Sequence, residues 1–205
     1  QEFFNKNFPD AVALMPGAAE EFLAAGASPL AQVKMSPWRY KNVALLGDAA
    51  HAVVPFYGQG MNAAFEDALV IGELVDKASQ KGLSRNEALM EAVDKITETR
   101  QPAADALNKL CMMNYKDMAH NSGRKTYLLR KRVERILHTL LPSTWIPLYT
   151  MVTFTRIPYN EVLERHYRQE ELLTFFTRAI TAGTAMAVIF GAQNISSIRR
   201  FFKLA

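Results

Sequence analysis

The chain has 205 residues, of which 49% are hydrophobic and 21% are charged, as is typical of a globular protein. This length gives room for one domain or for part of a larger protein. The formal net charge of +4 is modest and clustered, which argues against a nucleic-acid-binding protein. The single cysteine, Cys111, excludes an internal disulfide and a cysteine-ligated zinc site, and its apolar neighbours predict a buried thiol.

The amino-terminal part of the chain predicts one interrupted helix and two extended segments. Residues 8–26 have helical character, with Pro16-Gly17 as an interruption and Gly26 as a stop. Residues 31–35 and 39–46 are typical of extended segments joined across Ser36-Pro37. The chain begins with Gln rather than Met and lacks the layout of a signal peptide, so we expect a piece of a longer protein.

The central stretch, residues 43–67, combines a strand end, an acidic residue and a glycine-rich loop. Residues 43–46 are apolar and predict a short buried strand, which Gly47-Asp48 ends. A helix is predicted from near Met61 to about Ala78. Its apolar residues share one face, and its acidic residues occupy the polar face. The apolar set is Met61, Phe65, Leu69 and Val75, and the acidic set is Asp67, Glu73 and Asp76.

This combination suits a polyhydroxylated, anionic cofactor. A carboxylate at a strand end, such as Asp48, can accept hydrogen bonds from sugar-like hydroxyls. The free N–H groups at a helix start favour negative charge. Gly58 and Gly60 let the backbone approach a flat ligand without an intervening side chain. The alternative is that an Asp after a strand is only a turn residue or a helix cap.

The remainder of the chain predicts helices. Ser84 and Glu87 have capping-box spacing and open a helix that we expect to end near Arg100, before Pro102; another follows over residues 103–120. A basic amphipathic helix over residues 124–141 is typical of a solvated face, with a membrane surface as the alternative. Residues 159–171 form a polar helix. Residues 179–198 carry no charge and predict either a marginal membrane span or an apolar helix docked on a partner; we favour the membrane.

The sequence offers no candidate residues for binding a metal ion. The four histidines are widely separated in sequence, and no group of His, Cys or carboxylate residues has metal-ligand spacing. We therefore predict no metal site.

The strings GDAAH, PFYGQGMN and AAFEDA together resemble the second flavin motif of the FAD-dependent aromatic hydroxylases of the para-hydroxybenzoate hydroxylase type. The resemblance implies that the Asp contacts the ribityl and ribose part of FAD and that the helix start points its N–H groups at the flavin pyrimidine ring. The implied cofactor residues are Asp48, Gly58, Gly60, Met61, Asn62, Ala63 and Ala64. No GxGxxG fingerprint is present, so we expect the ADP-binding βαβ unit to lie upstream.

Further strings, FFNKNFPDAV, MMNYKDM and LPSTWIPLYTMVTFTRIPYNE, are similar to the kynurenine-hydroxylating members of this family. That similarity implies NADPH-dependent, FAD-mediated insertion of one oxygen atom into L-kynurenine, in tryptophan degradation and NAD biosynthesis, at the mitochondrial outer membrane. No catalytic side chain is implied, because the flavin performs the oxygen transfer. The implied substrate residues are Pro55, Phe56, Gln59, Asn114, Met118 and Tyr149. Tyr57 departs from the Phe common at this place in the family.

Other interpretations compete with this one. From the residues alone, Asn114, Met118 and Tyr149 are more typical of core or packing residues than of ligand-binding residues. Another FAD-dependent monooxygenase or epoxidase of the same fold would carry the same motif around Asp48. A helical membrane adaptor that retains the motif without catalysis is the non-enzymatic alternative.

The predicted fold class is α/β: the carboxyl-terminal part of a two-domain FAD-dependent hydroxylase fold, mostly helical, with a small strand remnant and a membrane-associated carboxyl-terminal helix. We predict a partial FAD and substrate domain over residues 1–82, a helical domain over residues 83–170 and a hydrophobic anchor over residues 171–205. Because half of the cofactor site is expected upstream, we expect the isolated chain to be inactive.

Overall fold

The amino-terminal residues form a small helical unit of their own. In the computed structural model, which describes the backbone of residues 1–201 and the side chains of residues 1–183, the chain divides into units Gln1–Ala31 and Gln32–Ala205. The first unit contains helices α1 (Glu2–Asn7), α2 (Pro9–Val12) and α3 (Ala18–Ala25). Phe4 contacts Phe22 edge to face, with ring centroids 5.9 Å apart. Gly26 ends α3 with φ of 64°, so the predicted interruption and stop are confirmed.

The second unit opens with extended chain and a very short hairpin. The N–H groups of Val33 and Met35 donate to carbonyls of the segment that follows the hairpin, each at 3.0 Å. Strands β1 (Arg39–Tyr40) and β2 (Val43–Ala44) pair antiparallel. The prediction of one continuous extended segment over residues 39–46 is therefore wrong. The chain reverses at Lys41, which adopts φ of 52° without the glycine that usually marks such a turn.

Three helical elements follow the hairpin and carry the residue strings that resemble a flavin motif. The first is a single turn, α4 (Asp48–His51), and the second is the 3-10 turn Pro55–Tyr57. The third, α5 (Gly60–Ser79), has the predicted bounds within a residue or two.

The burial of α5 differs from the prediction. Met61, Phe65 and Leu69 share one face, as their spacing predicts, but between 62% and 68% of each is exposed. Asp67, predicted on the polar face, is fully buried. The prediction for Asp67 is wrong because its charge is compensated by partners distant in sequence, which a helical periodicity does not reveal.

The longest fully described helix, α6 (Arg85–Lys116), organises the unit. Ser84 and Glu87 form the predicted capping box. The predicted break before Pro102 is wrong, because the proline lies inside a continuous helix. A proline removes one backbone hydrogen bond and costs about 3 kcal/mol in a helix interior. Burial on both sides offsets this cost: Ile96 and Ala104 belong to one core cluster, and Leu107 and Leu110 to the other.

The remaining elements are helical. A π-helical turn, Asp117–Asn121, follows α6, and the later helices are α7 (Lys125–Leu140), α8 (Leu148–Phe154) and α9 (Tyr159–Phe201). Helix α6 packs against both α5 and α9, so it lies at the centre of the unit. The prediction of a mostly helical chain with a small strand remnant is confirmed.

The predicted membrane anchor, residues 171–205, lies mostly outside the residues whose side chains are described, which end at 183. Within the described part of the chain, no helix combines the length and the apolar character that crossing a bilayer requires.

Candidate functional site

Three buried charged or ionisable side chains meet behind the Gly47-Asp48 turn. Oδ2 of the Asp67 carboxylate accepts hydrogen bonds from the Gly47 N–H at 3.0 Å and from His51 Nε2 at 2.5 Å. Its other oxygen accepts from Arg100 Nε at 2.8 Å. Arg100 also donates to the half-buried Glu66 at 2.9 Å. His51, Asp67 and Arg100 are each at least 96% buried, so this cluster ties the turn, α5 and α6 together out of solvent.

The charge state of Asp67 follows from these contacts. Burial alone raises the pKa of a carboxyl group, but hydrogen bonds from His51, Arg100 and the Gly47 N–H outweigh it. The pKa of Asp67 is therefore lower than its ordinary value, and the side chain is a carboxylate at neutral pH. The ring of Trp38 stacks on that of His51 at 4.9 Å, which fixes the imidazole from the other side.

Gly47 brings the turn close to α5. Its φ of 58° lies in the left-handed region, and a Cβ added to it would lie 3.1 Å from Ala64 Cβ. A larger residue would therefore strain the backbone and push the turn away from the helix. The next residue, Asp48, is exposed, and its Oδ1 lies 3.9 Å from the place a Cβ on Gly60 would occupy. The carboxylate of Asp48 thus lies beside the amino terminus of α5.

The amino terminus of α5 has hydrogen-bond donors available. No side chain in the described part of the chain caps it, and the first N–H groups of any helix lack intrahelical partners. Gly58, just before it, adopts a left-handed conformation, and a Cβ there would meet no described atom within 4 Å. An acceptor-rich or anionic ring edge can therefore approach the N–H groups of Gly60, Met61 and Asn62.

Gln59 holds the loop that leads into α5. It is 6% exposed; its Nε2 donates to the Tyr57 carbonyl, and its Oε1 accepts from Asn62 and from the Tyr159 hydroxyl. Burial raises the pKa of Tyr159 to about 12, so this hydroxyl stays protonated and donates. Both ends of the Gln59 amide thus have protein partners, which fixes the loop against α9.

Four of the six predicted substrate residues, Phe56, Asn114, Met118 and Tyr149, fall into two groups, whereas Pro55 is exposed and Gln59 is the buried loop residue just described. Asn114 Nδ2 donates to the Phe56 carbonyl at 2.6 Å and lies 3.8 Å from Met118 Sδ. Tyr149 contacts Tyr57, with ring centroids 5.8 Å apart. Met118 and Tyr149 are each more than half exposed, so they border open space.

Tyr57 connects these two groups, because its ring contacts Tyr149 and it lines a cavity together with Asn114. It is 8% exposed, and burial raises the pKa of its phenol above the ordinary value. A cavity of about 370 Å³ borders both Tyr57 and Asn114.

Two further expectations concern cysteine and metals. Cys111 is buried, as predicted, and burial raises the pKa of its thiol to about 11. The thiol is therefore protonated at neutral pH and behaves as a small apolar residue. Within the residues whose side chains are described, no group of three His, Cys, Asp or Glu side chains is placed to hold a metal ion.

The buried cluster of His51, Asp67 and Arg100 was not predicted from the sequence. One signal was available: Asp67 lies four residues from Ala63 and from Ile71, on the face of α5 that turns inward. An acidic residue in such a buried register requires cationic partners, and Arg100 is the one it finds.

Comparison with known proteins identifies the class. Residues 7–109 match the family described as FAD binding domain, and the chain belongs to that family. Curated proteins named kynurenine 3-monooxygenase are similar to it over nearly its whole length. The one from Caenorhabditis elegans is 40% identical over 196 residues, covering 94% of this chain and 40% of the relative. The one from Sus scrofa is 39% identical over 203 residues, covering 96% and 42%.

A bacterial relative of the same name, from Salinispora arenicola, is 37% identical over 201 residues, covering 98% of this chain and 42% of its own. These relatives confirm the resemblance predicted from the residue strings. The chain spans about two fifths of the length of the curated relatives it matches.

Proposed function

We propose that this chain is part of a FAD- and NADPH-dependent monooxygenase that hydroxylates L-kynurenine to 3-hydroxykynurenine. The observation that carries the proposal is the exposed Asp48 carboxylate beside the uncapped start of α5, in a chain similar to kynurenine 3-monooxygenases. With bound FAD and electrons from NADPH, O2 is activated so that one oxygen atom enters the aromatic ring and the other leaves as water.

The residues at this site fit a flavin. Asp48 would accept hydrogen bonds from ribityl and ribose hydroxyls, since an ionised carboxylate offers several acceptor positions. The backbone of residues 61–64 would contact the isoalloxazine ring, with N–H groups donating to its pyrimidine edge. Gly58 and Gly60 leave space for the flat ring. A Cβ on Gly58 would occupy open volume that the ring could use, and a Cβ on Gly60 would lie 3.9 Å from Oδ1 of the Asp48 carboxylate at the helix start.

The loop and α6 would form the substrate side. Pro55 and Phe56 would line the space next to the flavin, with the Gln59 side chain holding their loop in place. Asn114 uses one N–H on the Phe56 carbonyl. Among the described residues, its other N–H has only the weak acceptor Met118 Sδ as partner, at 3.8 Å, and would turn to a substrate carboxylate. Tyr149 would add a hydroxyl donor and Met118 a polarizable contact with the aminophenyl ring.

The test is substrate-dependent NADPH oxidation by the full-length protein. We expect kynurenine to accelerate NADPH oxidation and 3-hydroxykynurenine to form in step with it. Asn114→Ala should raise KM for kynurenine about tenfold or more, because a hydrogen bond to a charged group contributes about 1.5–3 kcal/mol. The matched control is Asn86→Ala on the exposed first turn of α6, which should leave KM unchanged.

Other outcomes of this assay identify the rival functions. A yellow protein whose NADPH oxidation ignores kynurenine would indicate another FAD-dependent monooxygenase or epoxidase. A protein that releases no flavin on denaturation would contradict the proposal and favour the adaptor.

We also propose that the protein associates with the mitochondrial outer membrane through its carboxyl-terminal region. Helix α7 supports this, because Leu129, Ile136 and Leu140 are exposed on one face and Lys125 and Arg132 lie along one edge of that face. An exposed apolar stripe bordered by cations suits the surface of a bilayer that contains anionic lipid.

Vesicle sedimentation tests this association. We expect the full-length protein to sediment with vesicles that contain phosphatidylserine, and Ile136→Glu to lower the bound fraction. The control is Gln80→Glu at the exposed end of α5, which adds the same charge elsewhere. Equal binding by both variants would contradict a role for α7.

A further inference from the structure

We infer that Asp67 is the positioning residue of the flavin motif: it holds the segment that carries Asp48 in place beside the amino terminus of α5. The inference rests on the proposed function, since it takes Asp48 as the residue that binds the FAD hydroxyls. Asp67 itself is fully buried and therefore acts through the turn.

The contacts of Asp67 flank Asp48 on both sides. One carboxylate oxygen, Oδ2, accepts from the N–H of Gly47, the residue before Asp48, and from the ring of His51, three residues after it. Both ends of the short helix α4 are thus tied to one atom of α5. Because α5 also presents the backbone N–H groups for the ring, this link sets the distance between the two halves of the site.

The second oxygen of Asp67 is fixed from another element. Arg100 on α6 donates to Oδ1 at 2.8 Å and to Glu66 at 2.9 Å, which holds the guanidinium and orients the carboxylate. The Asp67 carboxylate is therefore oriented by α6, which is not part of the Gly47-Asp48 turn.

A buried carboxylate is a costly way to fill space. An apolar residue of similar volume would often be as stable or more stable at such a position. Three buried donors explain why a carboxylate is present: the Gly47 N–H, the His51 ring and Arg100 all require an acceptor, and a carboxylate offers two oxygens. Because Gly47 sits against Ala64, the turn can shift neither toward α5 nor away from its acceptor.

A double-mutant cycle on FAD affinity in the full-length protein tests this role. We expect Asp67→Asn to weaken FAD binding about tenfold and Asp48→Ala to weaken it further, but the double variant to bind as weakly as Asp48→Ala alone, within about twofold. Such non-additivity arises only if Asp67 acts through Asp48. A full tenfold additional loss in the double variant would overturn the inference, because it would indicate a general effect on the fold.

The controls separate this inference from the proposed function. Asp76→Asn, on the exposed face of α5, should leave FAD binding unchanged. Should Asp67→Asn fail to fold by circular dichroism, His51→Gln takes its place in the same cycle with the same criterion. A wild-type protein that binds no FAD refutes the proposed function. A wild-type protein that needs Asp48 but tolerates Asp67→Asn with unchanged affinity refutes the positioning role alone.

Discussion

Replacing Asp48 by alanine should lower the affinity of the full-length protein for FAD by about 100-fold. The side chain lies beside the start of α5 and would accept hydrogen bonds from the ribityl and ribose hydroxyls. A hydrogen bond to a charged group contributes about 1.5–3 kcal/mol, and about 3 kcal/mol corresponds to a factor near 150. Titrating the apoprotein with FAD while recording the quenching of flavin fluorescence measures the change in affinity directly.

The matched control for this variant is Asp76→Ala, which removes an exposed carboxylate from the far end of α5. It changes the net charge by the same amount and should leave FAD affinity within a factor of about two, as expected for an exposed site away from the ligand. If Asp48→Ala and Asp76→Ala retain equal amounts of flavin after gel filtration, the assignment of Asp48 is wrong.

Replacing Arg100 by methionine should destabilise the protein by about 3–5 kcal/mol, the range measured when one partner of a buried ion pair is removed. Methionine keeps most of the volume of the side chain, so the loss comes from the uncompensated Asp67 carboxylate rather than from a cavity. Urea unfolding at neutral pH measures the change in the free energy of unfolding. The control is Arg85→Met on the exposed first turn of α6, which should fall within about 0.5 kcal/mol of wild type.

The same variant should change the response of stability to pH. The pKa of Asp67 is lowered in the folded protein, since its hydrogen bonds outweigh burial, so its stabilising contribution is present above the unfolded pKa. That contribution is lost as the pH falls through the folded pKa. Without Arg100 the pKa of Asp67 in the folded protein rises. The difference in the free energy of unfolding between wild type and Arg100→Met should therefore be largest at neutral pH and become smaller in acid. A deficit that stays constant down to strongly acidic pH would contradict this account.

The elements predicted correctly from the sequence are those specified by neighbouring residues. The Ser84–Glu87 capping box involves side chains three residues apart, so the start of α6 can be read directly from the sequence. The start of α5 is similarly local, because Gly58 and Gly60 precede a run with helical periodicity.

The features that sequence patterns did not predict depend on distant partners. Asp67 is buried because Arg100, 33 residues away in sequence, neutralises it. Pro102 stays within a helix because the apolar residues before and after it are buried in two core clusters. The roles of Asn114, Met118 and Tyr149 in binding substrate stay predictions. Asn114 does contact the loop that contains Phe56, which belongs to the predicted motif.

The continuity of α6 through Pro102 determines how the two sides of the site are spaced. Arg100, which holds the Asp67 carboxylate, and Asn114, which holds the Phe56 carbonyl, lie 14 residues apart on one helix, or about 21 Å along its axis. Inserting one residue between them would rotate one by about 100° relative to the other, so that at most one of the two contacts could survive. In this part of the gene, natural insertions and deletions should therefore be confined to the loops that flank α6.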